Sequence, residues 1–259
     1  MFTVIGDTHG SRAAVKHGLA VAMDNGSDTL VSVGDFGFWP GPTGATFLRS
    51  VSKAAVSARV FIVVAPGNHD DYDFIEGLEY DVAGFAQAAA NVQVAQRGAI
   101  TMIGGVNVAL MGGAHSIDGP GGTWRQVRGP GRGWWPRETI SRQDLDVALD
   151  RLDRFRGDVD VLISHDAPTA AEWVTKKYPP NKATVQNRIL LEAYRGCVGP
   201  KLCIWGHYHD VGSGPVGDGR GVMLQAADIS RYGSMVAVNS NVEVYYPSGY
   251  LVFPPKVLT

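Results

Sequence analysis

The chain opens with FTVIGDTHG over residues 2–10, four apolar or β-branched residues followed by Gly6-Asp7-Thr8-His9-Gly10. A short continuous run that stops on glycine and polar residues reads as a buried strand, Phe2 to Ile5, with polar side chains at its carboxyl end. Working outward, Ser11 to Met23 reads as an amphipathic helix and Thr29 to Val33 as a second strand. Thr43 to Ala58 is the next helix and Val60 to Val64 the third strand. This βαβαβ opening implies a buried, mainly parallel sheet joined by right-handed crossovers.

After Asp71 the periodicity loosens. Ala99 to Met102 and Val106 to Met111 then read as strands joined at Gly104-Gly105, a hairpin signal. Residues 112–133 hold eight glycines in 22 positions together with Arg125, Arg128 and Arg132, which excludes a helix or a central strand. Ser141 and Asp144 make a capping box for a helix running to about Phe155, followed by a strand from Val159 to Ile163. Ala183 to Tyr194 is a further helix and Lys201 to Trp205 a further strand. Four short runs close the chain: Val222 to Gln225, Met235 to Val238, Val242 to Tyr246 and Tyr250 to Phe253. Parallel units first and an antiparallel meander later predict an α/β (α+β) protein with two packed sheets and helices outside. A single domain over 1–259 is expected, with a Gly/Arg-rich loop insertion at about 112–137.

Composition narrows the function classes. Lys and Arg number 23 against 25 Asp and Glu, so the large basic excess of a nucleic-acid or anionic-membrane coat is absent. No apolar run approaches the ~18 residues of a spanning helix. Cys197 and Cys203 lack metal-site spacing and suit buried thiols, so a cytoplasmic location without membrane partners is expected. Glycine makes up 33 of 259 residues, well above the usual ~7%, and so marks many loops.

Five polar motifs stand just after strands: Gly6-Asp7-Thr8-His9-Gly10, Gly34-Asp35, Gly67-Asn68-His69-Asp70, Ser164-His165-Asp166 and Gly206-His207-Tyr208-His209. In α/β sheets the carboxyl ends of strands open onto the crevice where ligands bind. Five of the seven histidines fall inside these motifs. Carboxylate, amide carbonyl and imidazole together suit first-row ions such as Mn²⁺, Fe²⁺ or Zn²⁺ rather than Ca²⁺. Taken one at a time each motif also reads as an ordinary turn; it is their joint occurrence that points to a metal site.

In order and spacing these blocks resemble the calcineurin-like metallophosphoesterases, whose pattern is D-x-H, G-D, G-N-H-D/E, H, G-H-x-H. The match runs from Asp7 to His209. The resemblance implies a four-layer αββα sandwich of two mixed β-sheets flanked by helices. It also implies two divalent metal ions, with Mn²⁺ first and Fe²⁺/Fe³⁺, Zn²⁺ or Ni²⁺ as alternatives. Asp7, His9 and His209 would hold one ion, Asn68, His165 and His207 the other, and Asp35 would bridge them. His69 would stand near the scissile phosphate as a general acid or transition-state donor. Such a centre suits phosphate esters, because two cations ~3.5–4 Å apart activate a hydroxide and neutralise the ester's charge. Asp70 either orients His69 or caps a turn.

Protein phosphatase members of the family carry Arg after the Gly-Asp, typically in G-D-x-V-D-R-G, and another after N-H-E. Here the corresponding residues are Phe36-Gly37-Phe38-Trp39 and Asp70. Without a bidentate holder for a monoester dianion, a phosphodiesterase acting on small nucleotide-type substrates, cyclic nucleotides included, is the leading expectation. A nuclease, a phosphomonoesterase or protein phosphatase of the same family, and a non-catalytic scaffold are the alternatives. Phe38 and Trp39 either stack on a base or leaving group or pack beneath the loop. Gly112 to Asp118 and the later Trp134-Trp135-Pro136 are similar to a bacterial and phage branch of the family. In that reading Arg125, Arg128, Arg132 and His115 are substrate-side candidates on a lid; solvated surface is the other reading of the arginines.

Overall fold

The computed structural model describes residues 1–117, 119–120, 130–230, 233–247 and 252. A seven-stranded sheet begins with β1 (Phe2–Ile5), β2 (Thr29–Ser32) and β3 (Phe61–Val64), which run parallel. Helices α1 (Arg12–Asp24) and α2 (Gly41–Ala58) connect them. The stretch after Asp71, where sequence periodicity loosens, folds as α3 (Tyr72–Glu76), β4 (Phe85–Ala89) and β5 (Val92–Ala95), with β5 parallel to β3 and antiparallel to β4. Its alanine-rich sequence offers no strong period, and pairing against β3 decides its conformation.

The second sheet starts with the hairpin β6 (Ala99–Ile103) and β7 (Val106–Met111), turned at Gly104-Gly105 as expected. It continues through α4 (Arg142–Arg154), β8 (Val161–Ser164), α5 (Glu172–Lys177), α6 (Thr184–Val198) and β9 (Leu202–Trp205), with β7, β8 and β9 parallel. The Ser141–Asp144 capping box opens α4.

The C-terminal strands differ from the expected meander. β10 (Gly212–Val216) and β11 (Gly219–Met223) form a hairpin in the second sheet, where β11 runs parallel to β9. β12 (Met235–Val238) and β13 (Val244–Tyr245) return to the first sheet, with β12 antiparallel to β1. The chain crosses between layers after β11, a choice short strands cannot encode on their own. The expected strand Tyr250 to Phe253 lies, apart from Val252, outside the described residues.

Strand orders are therefore β13-β12-β1-β2-β3-β5-β4 and β10-β11-β9-β8-β7-β6. Alternate side chains sort the layers. Val4, Val31, Val63, Ile163 and Ile204 meet between the sheets. Ile5, Leu30 and Ile62 face outward onto Leu19, Phe47 and Val51 of α1 and α2. Leu162 and Trp205 face Leu145 and Leu191 of α4 and α6. Because each central strand is covered on both faces, it reads as a continuous apolar run. The carboxyl ends of β1, β2, β3, β8 and β9 carry the five polar motifs.

Candidate metal centre

Backbone hydrogen bonds lock the β1 and β2 loops together. His9 N donates to Asp35 O at 2.7 Å and Gly10 N to Phe36 O at 3.0 Å. Of the seven non-glycine residues with positive φ among those described, four are His9, Asp35, His207 and His209. Left-handed backbone at such residues costs of order 1–3 kcal/mol each and persists only where the surroundings impose it. The glycines preceding the site residues act chiefly through space. A Cβ on Gly206 would stand 2.0 Å from Asp7 Oδ1, and one on Gly67 2.1 Å from Asp35 Oδ1. Of Gly6, Gly34, Gly67 and Gly206 only Gly34 has positive φ, so close approach rather than backbone conformation demands glycine at the other three.

One donor group comprises Asp7, His9, Asp35 and His209, with ligand atoms all within 4.8 Å of one another. His9 Nε2 and His209 Nε2 lie 3.0 Å apart, and His209 Nε2 is 3.3 Å from Asp7 Oδ2. Beside it, His165 Nε2 lies 3.0 Å from Asn68 Oδ1 and 3.4 Å from Asp35 Oδ2. His165 Nδ1 donates to the Val33 carbonyl at 2.9 Å, since that oxygen can only accept. Nε2 is thereby turned toward two acceptor oxygens. His207 packs against the His165 ring with centroids 5.1 Å apart, and its backbone N donates to Asp7. Imidazole nitrogens and carboxylate and amide oxygens converging on one partly buried place need a positive charge between them, a proton on His165 or a metal ion, and their chemistry fits divalent metal.

Electrostatics express the same convergence. Burial pushes His165 down, but Asp35 overrides it and raises the group to about 10. Burial would raise Asp35, yet His165, His69 and His9 hold it well below the usual carboxylate range. His207 is lowered to about 4 by burial and by His165, so it stands neutral as a ligating imidazole must. The hydrogen bond that His209 donates to Asp7 raises this histidine despite its partial burial.

His69 lies beside this centre with its ring 5.8 Å from that of His9. Its Nδ1 donates to Gly133 O at 2.8 Å, leaving Nε2 as the free ring nitrogen. Gly133, not Asp70, therefore orients the imidazole. Asp70 is fully buried and its two oxygens accept from four backbone N–H groups: Gly37 at 2.9 Å and Phe38 at 3.1 Å on Oδ1, Gly67 at 2.9 Å and Phe36 at 3.2 Å on Oδ2. It fastens the β2 loop to the β3 loop, as the turn-capping reading of this residue expects. Burial and the nearby Asp35 raise its pKa, with those N–H groups opposing.

Phe38 is 3% exposed and packs against Phe36 and Phe74, so it forms no wall for a substrate. Trp39 is 37% exposed and its ring lies against Gly10, next to His9, at the margin of the centre. His115 is half-buried and its Nδ1 has no hydrogen-bond partner among the described residues. Arg132 is exposed, while Arg125 and Arg128 lie outside the described residues.

Sequence reasoning missed two residues. Buried Ser116 accepts from Asn68 Nδ2 at 2.8 Å, and buried Glu138 accepts from Ser116 Oγ and Trp135 N, both at 2.9 Å. Glu138 stands just past the expected 112–137 segment, where an isolated glutamate after two tryptophans is the only signal. Arg97 spans both ends of that segment, bonding Gly112 O at 3.2 Å and the Arg137 and Glu138 carbonyls at 2.8 Å each.

Two packed sheets with a buried Asp/His/Asn centre at their carboxyl ends define a metal-dependent hydrolase of phosphate esters. The chain belongs to the calcineurin-like phosphoesterase family, whose profile matches residues 1–211. It is similar in fold to the TT1561 protein of Thermus thermophilus, with TM-score 0.57, 13% identity and 96% of each chain covered. A dimetal phosphatase from Danio rerio gives TM-score 0.53 and 14% identity over 91% of this chain and 90% of that one. A phosphopantetheinyl hydrolase from Mycobacterium tuberculosis gives 0.50 and 12% over 90% and 94%. No curated protein sequence matches. No helix among the described residues is long and apolar enough to cross a membrane.

Proposed function

We propose that this phosphoesterase is a dimetal phosphodiesterase of small nucleotide-type diesters. Asp7, His9 and His209 would hold one ion, Asn68, His165 and His207 the second, and Asp35 would serve both. When bound, such ions supply a nucleophile at neutral pH and neutralise charge on the nonbridging phosphate oxygens. The chain's own contribution is to fix ligands and move one proton. His69, with Nδ1–H committed to Gly133 O, donates a proton from Nε2 to the departing oxygen in its imidazolium form and is left as the neutral Nδ1–H tautomer. Trp39 gives an apolar surface beside His9 for a base or an aromatic leaving group. The single domain over 1–259 with its inserted 112–137 segment belongs to this reading and is supported by the Arg97 bonds that hold both ends of that segment together.

The observation that carries the diesterase preference is the inward-folded loop after β2. Phe36 and Phe38 are buried, and Asp70 occupies the loop N–H groups. Neither position offers an arginine to a monoester dianion, which binds best to a bidentate cation. Stripping the protein with a chelator, restoring Mn²⁺, Fe²⁺, Zn²⁺, Ni²⁺ or Mg²⁺ singly, and comparing bis-(p-nitrophenyl) phosphate with p-nitrophenyl phosphate tests it. The diester should turn over faster, with Mn²⁺ foremost. Monoester preference refutes the diesterase assignment, and no turnover with any ion refutes a catalytic role.

A further inference from the structure

Asn68 ends in two atoms of nearly equal shape and opposite polarity, and only the carbonyl oxygen can ligate a cation. Something must decide which atom faces His165 and Asp35. In the structure Oδ1 does, and Nδ2 is turned away to donate to Ser116 Oγ at 2.8 Å.

The Ser116 hydroxyl has one proton. Its two acceptors are Glu138 Oε2 at 2.9 Å and the Gly133 carbonyl at 3.4 Å, and the nearer carboxylate takes it, so the oxygen that faces Asn68 presents a lone pair. Ser116 N donates to Glu138 Oε1, and Trp135 N donates to Oε2 at 2.9 Å. Every partner of this carboxylate is thus a donor, an arrangement complete in the ionised form that prevails above pH ~7, since burial raises the group to about 7. Ser116, Asn68 and Glu138 are 0%, 1% and 3% exposed, so water does not compete for these positions. The polarity then runs one way: an acceptor-only carboxylate takes the serine proton, the serine must accept, and the amide must donate.

We propose that Glu138, acting through Ser116, is a positioning residue that dictates which end of Asn68 faces the metal centre. It touches neither ion nor substrate. The same carboxylate holds Trp135 N in the segment whose Gly133 carbonyl orients His69, so one buried anion aligns both a ligand and the proposed proton donor. The inference rests on the metal-ligand role proposed for Asn68.

Glu138→Gln keeps the shape but exchanges one acceptor oxygen for an NH₂, so one of the three donors loses its acceptor and the serine proton is no longer drawn to an anion. Ser116→Ala removes the middle hydroxyl and leaves the backbone intact. Calorimetric titration of chelator-stripped protein with Mn²⁺ reads two dissociation constants, and circular dichroism with a thermal melt checks the fold. Each variant should weaken one of the two by about 10–100-fold, the usual effect of losing a partner behind a metal ligand, and leave the other near wild type. The polarity argument makes a sharper demand in an Asn68→Asp background, where both side-chain atoms are acceptors. There Glu138→Gln should cause no further weakening, because the freed serine proton can turn to the new carboxylate. Wild-type affinity in both single variants overturns the proposal. So does an equal loss from Glu138→Gln in the wild-type and Asn68→Asp backgrounds, which would mark Glu138 as a general prop for the segment. A wild-type protein that takes up no Mn²⁺ overturns the metal-site reading itself, and this inference with it.

Discussion

Replacing Asp70 by Asn separates a structural clamp from a group that tunes His69. In the wild type each carboxylate oxygen accepts two backbone N–H groups, Gly37 and Phe38 on one, Phe36 and Gly67 on the other. An asparagine can satisfy only one of these pairs, and its NH₂ then opposes two buried donors. Each unsatisfied buried N–H costs ~1–3 kcal/mol, so the pair amounts to about 2–6 kcal/mol. Relief of burying an anion beside Asp35, the origin of the raised Asp70 pKa, offsets part of this. A net loss of about 3 kcal/mol corresponds to a Tm decrease of ~6–12 °C for a protein of this size class. Differential scanning calorimetry of chelator-treated wild type and Asp70→Asn measures it directly. A Tm within about 2 °C of wild type, under ~1 kcal/mol at this size, would refute the clamp. If kcat fell at the same time, Asp70 would return as the partner of His69.

Three further outcomes follow from the same geometry. Gly206→Ala places a Cβ 2.0 Å from Asp7 Oδ1 and 2.7 Å from Val33 Cγ2, so the carboxylate must move; bound metal measured by elemental analysis should fall, and full occupancy at wild-type rate would contradict the packing argument. His69→Ala should keep its metal content and lose ~10²–10⁴ in kcat, with the smallest loss for the best leaving group; loss of metal would make His69 a ligand instead. Glu138 is raised to about 7, chiefly by burial, so the folded protein takes up its proton more readily than the unfolded chain between pH ~4.5 and ~7. Its contribution to stability is therefore present at low pH and lost as pH rises through 7, by about 3 kcal/mol. Melts of metal-free wild type between pH 5 and 8 should fall more steeply than those of Glu138→Gln, and parallel profiles would refute this.

Much of the fold is legible because buried strands must be apolar on both faces. β1, β2, β3, β8 and β9 declare themselves as short continuous runs, and Ser11 and Ser141 mark helix starts by the N–H groups they cap. The 85–95 hairpin does not, since alanines and glutamines fit several conformations until β3 offers a pairing edge. The family follows from five motifs whose donor chemistry and order are local properties of the chain. Their separation is not: Asp7 and His207 are 200 residues apart at the ends of strands in different sheets, and only the packing of the two sheets brings them into hydrogen-bond contact. Asp70 shows the difference within a single motif, because its place beside His69 in sequence suggests one partner and the fold supplies four others. Glu138 shows the converse, a residue in no motif that reaches Asn68 through Ser116.

By itself the sequence determined the layered α/β architecture, the family and the supply of carboxylate, amide and imidazole side chains behind the strands, because these depend on residue type and short spacing. Tertiary structure decided which neighbour each polar atom faces: Gly133 for His69, four backbone amides for Asp70, Ser116 for Asn68. Hydrogen-bond direction in a buried site depends on atoms a few ångströms apart in space and tens of residues apart in the chain, and folding alone sets it.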